Sequence, residues 1–314
     1  MTLKELAENY IAFRKSLGER CEVNGHVVRS FCRIAGQDAS IDEIPHETVN
    51  GFLAGKGALT ASWHVKYNAL SGFWKYLLSR GFAVASPLPS VIPKRPPAFA
   101  AYIYTQDELR RLFAATDSYQ HNRGHLNPLT VRTILLLLYG AALRSSEALA
   151  LTFADVDLDA AVLTVRESKF FKSRLVPLGS NLTQQMRAYS NWRSANWRCR
   201  AEDTPFFCNR YGQRICLNTL QYNFERLRMH AGLHRDGGPR CQPRMHDLRH
   251  TSAVHRLISC YRQGDNVQKY LEHLSVYMGH AKLSGTQTYL SMTAELLAQA
   301  NDRFERYAGK EAEL

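Results

Sequence analysis

Two imidazoles and a guanidinium fall within five residues of one another in the stretch "MHDLRHTSAVHRL", at His246, Arg249 and His250. On a helix, positions three and four apart share a face. These three groups would project together, while Val254, Leu257, Ile258 and Tyr261 form an apolar stripe on the other side. Such a face suits an anion: a planar guanidinium can grip two phosphate oxygens at once, and an imidazole can give or take a proton near neutral pH. Taken alone, the pattern fits a solvated basic helix face equally well.

Other groups of matching chemistry recur along the second half of the chain. "AALRSSEALAL" presents Arg144 with Glu147 three residues on, "RESKFFKSRLVPL" holds Lys169 and Lys172, "YMGHAK" offers His280, and "GTQTYL" offers Tyr289 nine residues after His280. Each also has a purely structural use. Arg144 can pair with Glu147 across a helix turn, His280 can cap a helix, and tyrosines such as Tyr261, Tyr270 and Tyr277 are ordinary packing groups.

The elements that must hold these groups can be read from periodicity. Thr2 with Glu5 forms a capping box, and Leu3, Leu6, Tyr10, Phe13 and Leu17 follow at helical spacing until Gly18 stops the helix. Further helical patterns carry Val27, Phe31 and Ile34, then Val49, Phe52 and Leu53, then Trp63, Tyr67, Leu70, Trp74 and Leu77. Pro87, Pro89, Pro93, Pro96 and Pro97 then crowd a segment that also holds Lys94 and Arg95, and so many prolines continue neither helix nor sheet.

Thr105 and Glu108 open a second capping box and a longer, mostly helical region. Within it, Leu163, Val165 and Leu175 alternate with polar residues, which predicts a β-hairpin turning at Lys169–Lys172, and "TPFFCN" predicts a further short strand. Near the C-terminus Leu297, Ala300, Phe304 and Tyr307 lie at helical spacing. The fold class expected is mostly α with a small β-hairpin sheet. The expected division is a helical domain at 1–84, a proline-rich basic linker at 85–101, and a second domain at 102–314 that ends in a helix.

The chain has 314 residues, with 40 Lys plus Arg against 28 Asp plus Glu, a net charge of +12 that favours a polyanionic partner through counterion release. The longest apolar run, Ile134 to Leu138 extended by Tyr139 and Ala141, falls far short of the roughly 20 residues a bilayer crossing needs, so no membrane role is expected. "MTLKELAENY" carries acidic residues and fits neither a secretory signal nor a transit peptide, which points to the cytoplasm. The seven cysteines form no CxxC pair and no grouping with zinc spacing, and no Walker-type loop or acidic metal cluster is present; neither cofactor nor metal is expected.

The order Arg144, Lys169, His246-x-x-Arg249, Gly279-His280, Tyr289 resembles the tyrosine recombinase family, the phage-type and Xer-type integrases, and most of all members carried by transposons and integrative elements. The likeness covers nearly the whole chain, with the specific motifs confined to the second half. It implies an N-terminal core-binding (SAM-like) helical domain and a C-terminal α+β catalytic domain. The activity implied is site-specific cutting and rejoining of DNA through a 3′-phosphotyrosyl link, without metal or ATP. In that scheme Tyr289 is the nucleophile, Arg144, Arg249 and His280 hold the phosphate, His246 assists removal of the phenolic proton, and Lys169 protonates the departing 5′ oxygen. Counting back from the Arg-Leu-Val-Pro run selects Lys169 over Lys172.

The partners implied are a double-stranded recombination site and two to four copies of the chain upon it, with accessory proteins unspecified. Type IB topoisomerases share this kind of site, and a non-catalytic DNA-binding factor could share the fold, so both stand as alternatives. Ala142 and Ser145 depart from the glycine and aliphatic residue usual around the first arginine, and "SCYRQGDNVQKYLEHLSVYM" is longer than in phage-type members.

If Lys94 and Arg95 lie on phosphates, changing both to Ala weakens duplex binding alike for all sequences. The slope of log affinity against log salt then flattens by about one to two units, with site preference unaltered. Titrations at several salt concentrations check this, and an unchanged slope rules out the contact.

Overall fold

The first turn of the chain is fixed by reciprocal bonds: the Glu5 amide donates to the Thr2 hydroxyl at 3.2 Å, and the Thr2 amide donates to the Glu5 carboxylate at 2.9 Å. The structure is a computed structural model and describes residues 1–55, 59–96, 100–118, 126–166, 173–197, 201–238, 241–280, 282–291 and 293–311. The chain divides into two compact units, Met1–Ala98 and Phe99–Leu314. Among the described residues no helix is long and apolar enough to cross a membrane.

The first unit consists of α1 (Leu3–Ser16), α2 (Glu22–Ala35), α3 (His46–Ala54) and α4 (Ala61–Ser79). Leu3, Leu6, Tyr10, Val28, Phe31, Val49, Phe52, Leu70, Phe73, Trp74 and Leu77 close into one core. Gly72 lets α4 approach α1, since a Cβ there would sit 2.6 Å from the Tyr10 hydroxyl. Ile34, which the helical spacing puts with the core, is 61% exposed, and Val28 is buried in its place. The proline-rich segment begins against this unit, with the carbonyl of Pro87 2.9 Å from His46 Nδ1 and that of Pro89 accepting from the Tyr67 hydroxyl at 3.5 Å. Lys94 and Arg95 are exposed.

The second unit opens with α5 (Gln106–Ser118), α6 (Pro128–Gly140) and α7 (Ser145–Ala150). Thr105 and Glu108 exchange the bonds of the second capping box at 3.2 and 2.8 Å. Asn127 caps α6, whose Ile134, Leu135, Leu137 and Leu138 are buried in the main core. A three-stranded antiparallel sheet follows, β1 (Val156–Asp157), β2 (Val162–Val165) and β3 (Arg174–Pro177), and then α8 (Ser180–Asn196) and α9 (Leu217–His230). The chain ends with α10 (Asp247–Gln263), α11 (Val267–Met278), α12 (Ser284–Gln287) and α13 (Ala294–Glu311). The segment "SCYRQGDNVQKYLEHLSVYM" forms the last turn of α10, a turn at Gly264 and α11.

Two sequence expectations about strands need correction. The ladder pairs Leu163 with Val176 and Val165 with Arg174, so Val176, not Leu175, is the inward residue of β3. Val176 is fully buried and Leu175 is 67% exposed, because a one-residue change of register exchanges the two faces of a strand. The same register turns Arg174 inward. "TPFFCN" forms no strand. It makes only isolated bridges, Thr152 with Pro205 and Cys208 with Arg214, and the third strand of the sheet is β1, ahead of the hairpin.

At the C-terminus Leu296 is buried, whereas Leu297 and Phe304 are 51% and 67% exposed; the side chain of Tyr307 lies outside the described residues. A direct check of the β3 register is a pair of substitutions. Val176→Asp strands a carboxylate in the core and is expected to cost roughly 4 kcal/mol or more, while Leu175→Asp stays within about 0.5 kcal/mol, as read by urea unfolding midpoints.

Candidate active site

The site is built around the C-terminal end of α11. A helix leaves its last carbonyls without partners, and here three consecutive ones each meet a different arginine. Arg174 Nε donates to the Tyr277 carbonyl at 3.0 Å, Arg249 Nη2 to that of Met278 at 2.5 Å, and Arg144 Nη2 to that of Gly279 at 3.2 Å. The negative end of the helix dipole lies there as well. Gly279 is required in two ways. Its φ of +67° is the left-handed conformation that ends α11, and a Cβ would sit 2.8 Å from Arg174 Nη1.

Glu147 supplies the second negative pole. It is the third residue of α7, where its carboxylate accepts the Arg144 backbone amide at 2.9 Å and Arg144 Nη1 at 2.6 Å. Arg174 adds a two-pronged pair at 3.0 and 2.8 Å, and Arg249 Nη1 stands 3.9 Å away. Burial alone would raise the Glu147 carboxyl, but hydrogen bonds from Arg174 and Arg144 overcome it and hold the group down to about 2. Arg249 is 2% exposed, and it also donates to the Ala142 carbonyl, presented by a residue with φ of +51°. Burial and then the charge of Arg144 bring Arg249 down to about 10, so it remains protonated at neutral pH.

The imidazoles gather on the other side of Arg249. His246 precedes α10 and is exposed, and the neighbouring Asp247, fully buried, fixes the turn by accepting the Arg244 backbone amide at 2.8 Å and its Nη2 at 2.9 Å. The His246 and His250 rings meet edge to face at 4.9 Å. Tyr289, 2% exposed, lies between His250 and His280: its hydroxyl is 3.2 Å from His250 Nδ1, and its ring stacks on that of His280 at 6.1 Å. His280 Nδ1 is bonded to the Thr286 hydroxyl at 2.7 Å. Desolvation first, and then nearby positive charge, lowers all three histidines, His250 and His280 to about 4. Burial raises the Tyr289 phenol although Arg249 and Arg144 pull it the other way.

Of the residues singled out in the sequence, Arg144, His246, Arg249, His280 and Tyr289 thus converge on one site, and Lys169 lies outside the described residues. Lys94 and Arg95 belong to the first unit. Sequence reasoning gives no site role to Glu147 or Arg174, and it places His250 on the same helix face as His246 and Arg249 without naming its partner. Arg174 is recoverable from the alternation with Val176, which places both on the inward face once the register is known.

Glu147→Gln leaves the arginines without their shared counter-charge and is expected to cost roughly 3–5 kcal/mol at pH 7. The Glu147 carboxyl titrates at about 2 in the folded state against an ordinary 4.5. Its stabilisation is therefore complete above about 4.5 and disappears as pH falls toward 2. The gap between wild type and variant in urea unfolding should narrow across that window, and a gap independent of pH would refute the assignment.

The sequence profile of the phage integrase family matches residues 103–295. The putative integrase/recombinase y4rB of Sinorhizobium fredii is 30% identical over 311 residues, 97% of this chain and 98% of that one. The tyrosine recombinase XerC of Salmonella typhi is 29% identical over 249 residues, 79% of this chain and 74% of that one. Among solved structures, a lambda integrase dimer bound to a COC′ core site superposes with a TM-score of 0.67 at 17% identity, covering 94% of this chain and 97% of that one. The Tn1549 transposon integrase in complex with transposon right end DNA gives a TM-score of 0.67 at 15% identity, over 98% of this chain and 100% of that one. With a family match over more than half its length and a relative alike from end to end, the chain belongs to the phage integrase family.

Proposed function

We propose that this protein is a site-specific DNA recombinase that cuts one strand at a time through Tyr289, holds the 3′ end as a phosphotyrosyl link, and rejoins it to a 5′-hydroxyl of another strand. The observation that carries this reading is the placement of the Tyr289 hydroxyl beside the buried Arg249 and within 3.2 Å of an imidazole. A phenol so placed has a proton acceptor on one side and a cationic phosphate cradle on the other.

Arg144 and Arg249 neutralise the non-bridging oxygens as charge grows on them, each preorganised donor being worth roughly 3 kcal/mol. His280 adds a hydrogen bond, His246 lies at the mouth of the site, and Lys169 is assigned to protonate the departing 5′ oxygen. The energy of the broken phosphodiester is kept in the phosphotyrosyl bond, so rejoining needs no nucleotide.

The substrate proposed is a duplex recombination site, with Lys94 and Arg95 on phosphates and the protein acting in the cytoplasm. The similar structures include a lambda integrase dimer on a core site and a lambda integrase tetramer on a Holliday junction, which supports assembly of two to four copies on DNA. Exposed Leu297 and Phe304 on α13 offer apolar surface for such assembly. A topoisomerase role is not favoured, because the relatives named above are integrases and recombinases.

Tyr289→Phe removes one oxygen and keeps the ring, so DNA affinity is expected to stay close to wild type while covalent chemistry is lost. A duplex that the protein binds specifically, selected from DNA flanking the coding sequence and nicked just past the cleavage position, is incubated with protein and run on a denaturing gel. Wild type leaves a protein-linked 3′ end, with or without chelator, and the Phe variant does not. An adduct from the Phe variant, or loss of the wild-type adduct on chelation, would sink the reading.

A further inference from the structure

We propose that His250, the residue after the arginine of the His-x-x-Arg motif, is the group that receives the phenolic proton of Tyr289 as its oxygen attacks phosphorus. The inference rests on Tyr289 being the nucleophile and deepens that reading by naming the base. The family resemblance assigns this task to His246. Among the described residues, however, it is His250 whose imidazole reaches the Tyr289 hydroxyl, Nδ1 to Oη at 3.2 Å, with ring centroids 5.6 Å apart. The His246 ring packs against His250 instead, and His280 uses its Nδ1 on Thr286.

A phenol oxygen carries one proton and two lone pairs. With the proton pointed at His250, the lone pairs are left toward Arg249, where a bound phosphate would lie. The acceptor role requires a neutral imidazole with its own proton on Nε2. The groups facing His250 are His246, Asp247, Arg244 and Arg249 from α10 and its lead-in, and Tyr289 and His280 from beyond α11. Burial and the cations among them keep the ring neutral at pH 7. A phosphodiester anion seated on Arg144 and Arg249 opposes the charges that disfavour an imidazolium, so the ring becomes a better base only once substrate is bound.

The step balances. The Oη–P bond forms and the P–O5′ bond breaks. The phenolic proton passes from Oη to Nδ1, and the departing 5′ oxygen takes a proton from the acid, the role assigned to Lys169. Rejoining runs the same transfers backwards, with the His250 imidazolium returning its proton to Tyr289.

His250→Asn separates proton acceptance from orientation, because the Asn side-chain oxygen can accept the hydrogen bond but cannot carry the proton away. The full chain is assayed on the same specifically bound duplex, once with the natural phosphodiester and once with a 5′-bridging phosphorothiolate, whose sulfur leaves without help from an acid. The expected result is adduct formation slowed by roughly 10²- to 10⁴-fold on both substrates, with duplex affinity unchanged. Adduct formation by His250→Asn within about threefold of wild type, or recovery on the phosphorothiolate, would overturn the proposal.

His250→Ala gives an independent arm. Added imidazole should restore its adduct formation in proportion to concentration, and no restoration counts against a proton acceptor at this position. If wild-type protein forms no adduct on either duplex, the failure lies with Tyr289 as nucleophile and not with His250.

Discussion

Three guanidinium groups cannot share a buried site unless something negative holds them, because their mutual repulsion grows as water is removed. Here two negative features do so together: the Glu147 carboxylate and the last three carbonyls of α11. Each feature is useless without the other. The carboxylate draws Arg144 and Arg174 together, and the carbonyls fix the direction in which each guanidinium points. Four separate elements are locked by this arrangement: the start of α7, strand β3, the first turn of α10 and the end of α11. The β2–β3 pair is attached to the site through Arg174, so the position of β3 is set by electrostatics as much as by its apolar side chains.

Much of this is legible in the amino-acid sequence. Helix starts marked by Thr2 and Thr105 can be read there because capping is local chemistry, complete within four residues. The motif residues can be read because a shared resemblance fixes their order along the chain. What escapes the sequence is set by contacts distant along it. Whether Leu175 or Val176 faces inward depends on the pairing partner in β2, and an alternating pattern broken by a turn does not specify that partner. "TPFFCN" has the composition of a strand but finds only isolated bridges, to Thr152 and Arg214, which lie far from it or outside any ladder. His250 reads only as a neighbour of His246 and Arg249 on one helix face, because its partner, Tyr289, is 39 residues away in sequence.

Ala142, which departs from the glycine that the family resemblance implies, has a backbone role at the site. Its φ of +51° is a conformation that glycine adopts freely and alanine adopts at a cost of roughly 1 kcal/mol. That conformation presents its carbonyl to Arg249, and its methyl group is buried with Leu257 and Leu296 in the small core beneath Tyr289. The burial offsets the backbone cost. A residue that looks like a packing substitution in the sequence is therefore part of the arginine's support.

The charge balance of the site also says what it is built to hold. Among the described residues the ionised groups around the arginines are Arg144, Arg174, Arg249 and Glu147, with the Arg244–Asp247 pair beside the histidines, while burial and neighbouring cations keep His246, His250 and His280 neutral at pH 7. Glu147 is shared among the three guanidiniums and offsets one of their charges, which leaves the cluster with two positive charges in excess. A phosphodiester brings one negative charge, so in the ground state one cation stays unsatisfied. In the proposed reaction the Tyr289 oxygen adds to phosphorus and gives up its proton, and a second negative charge develops beside Arg144 and Arg249. The match is closer for the transition state than for the bound substrate, and only interactions that strengthen along the reaction in this way raise its rate. Neutral histidines are part of that design: a protonated His250 would add positive charge in the ground state and would have no lone pair left to take the proton.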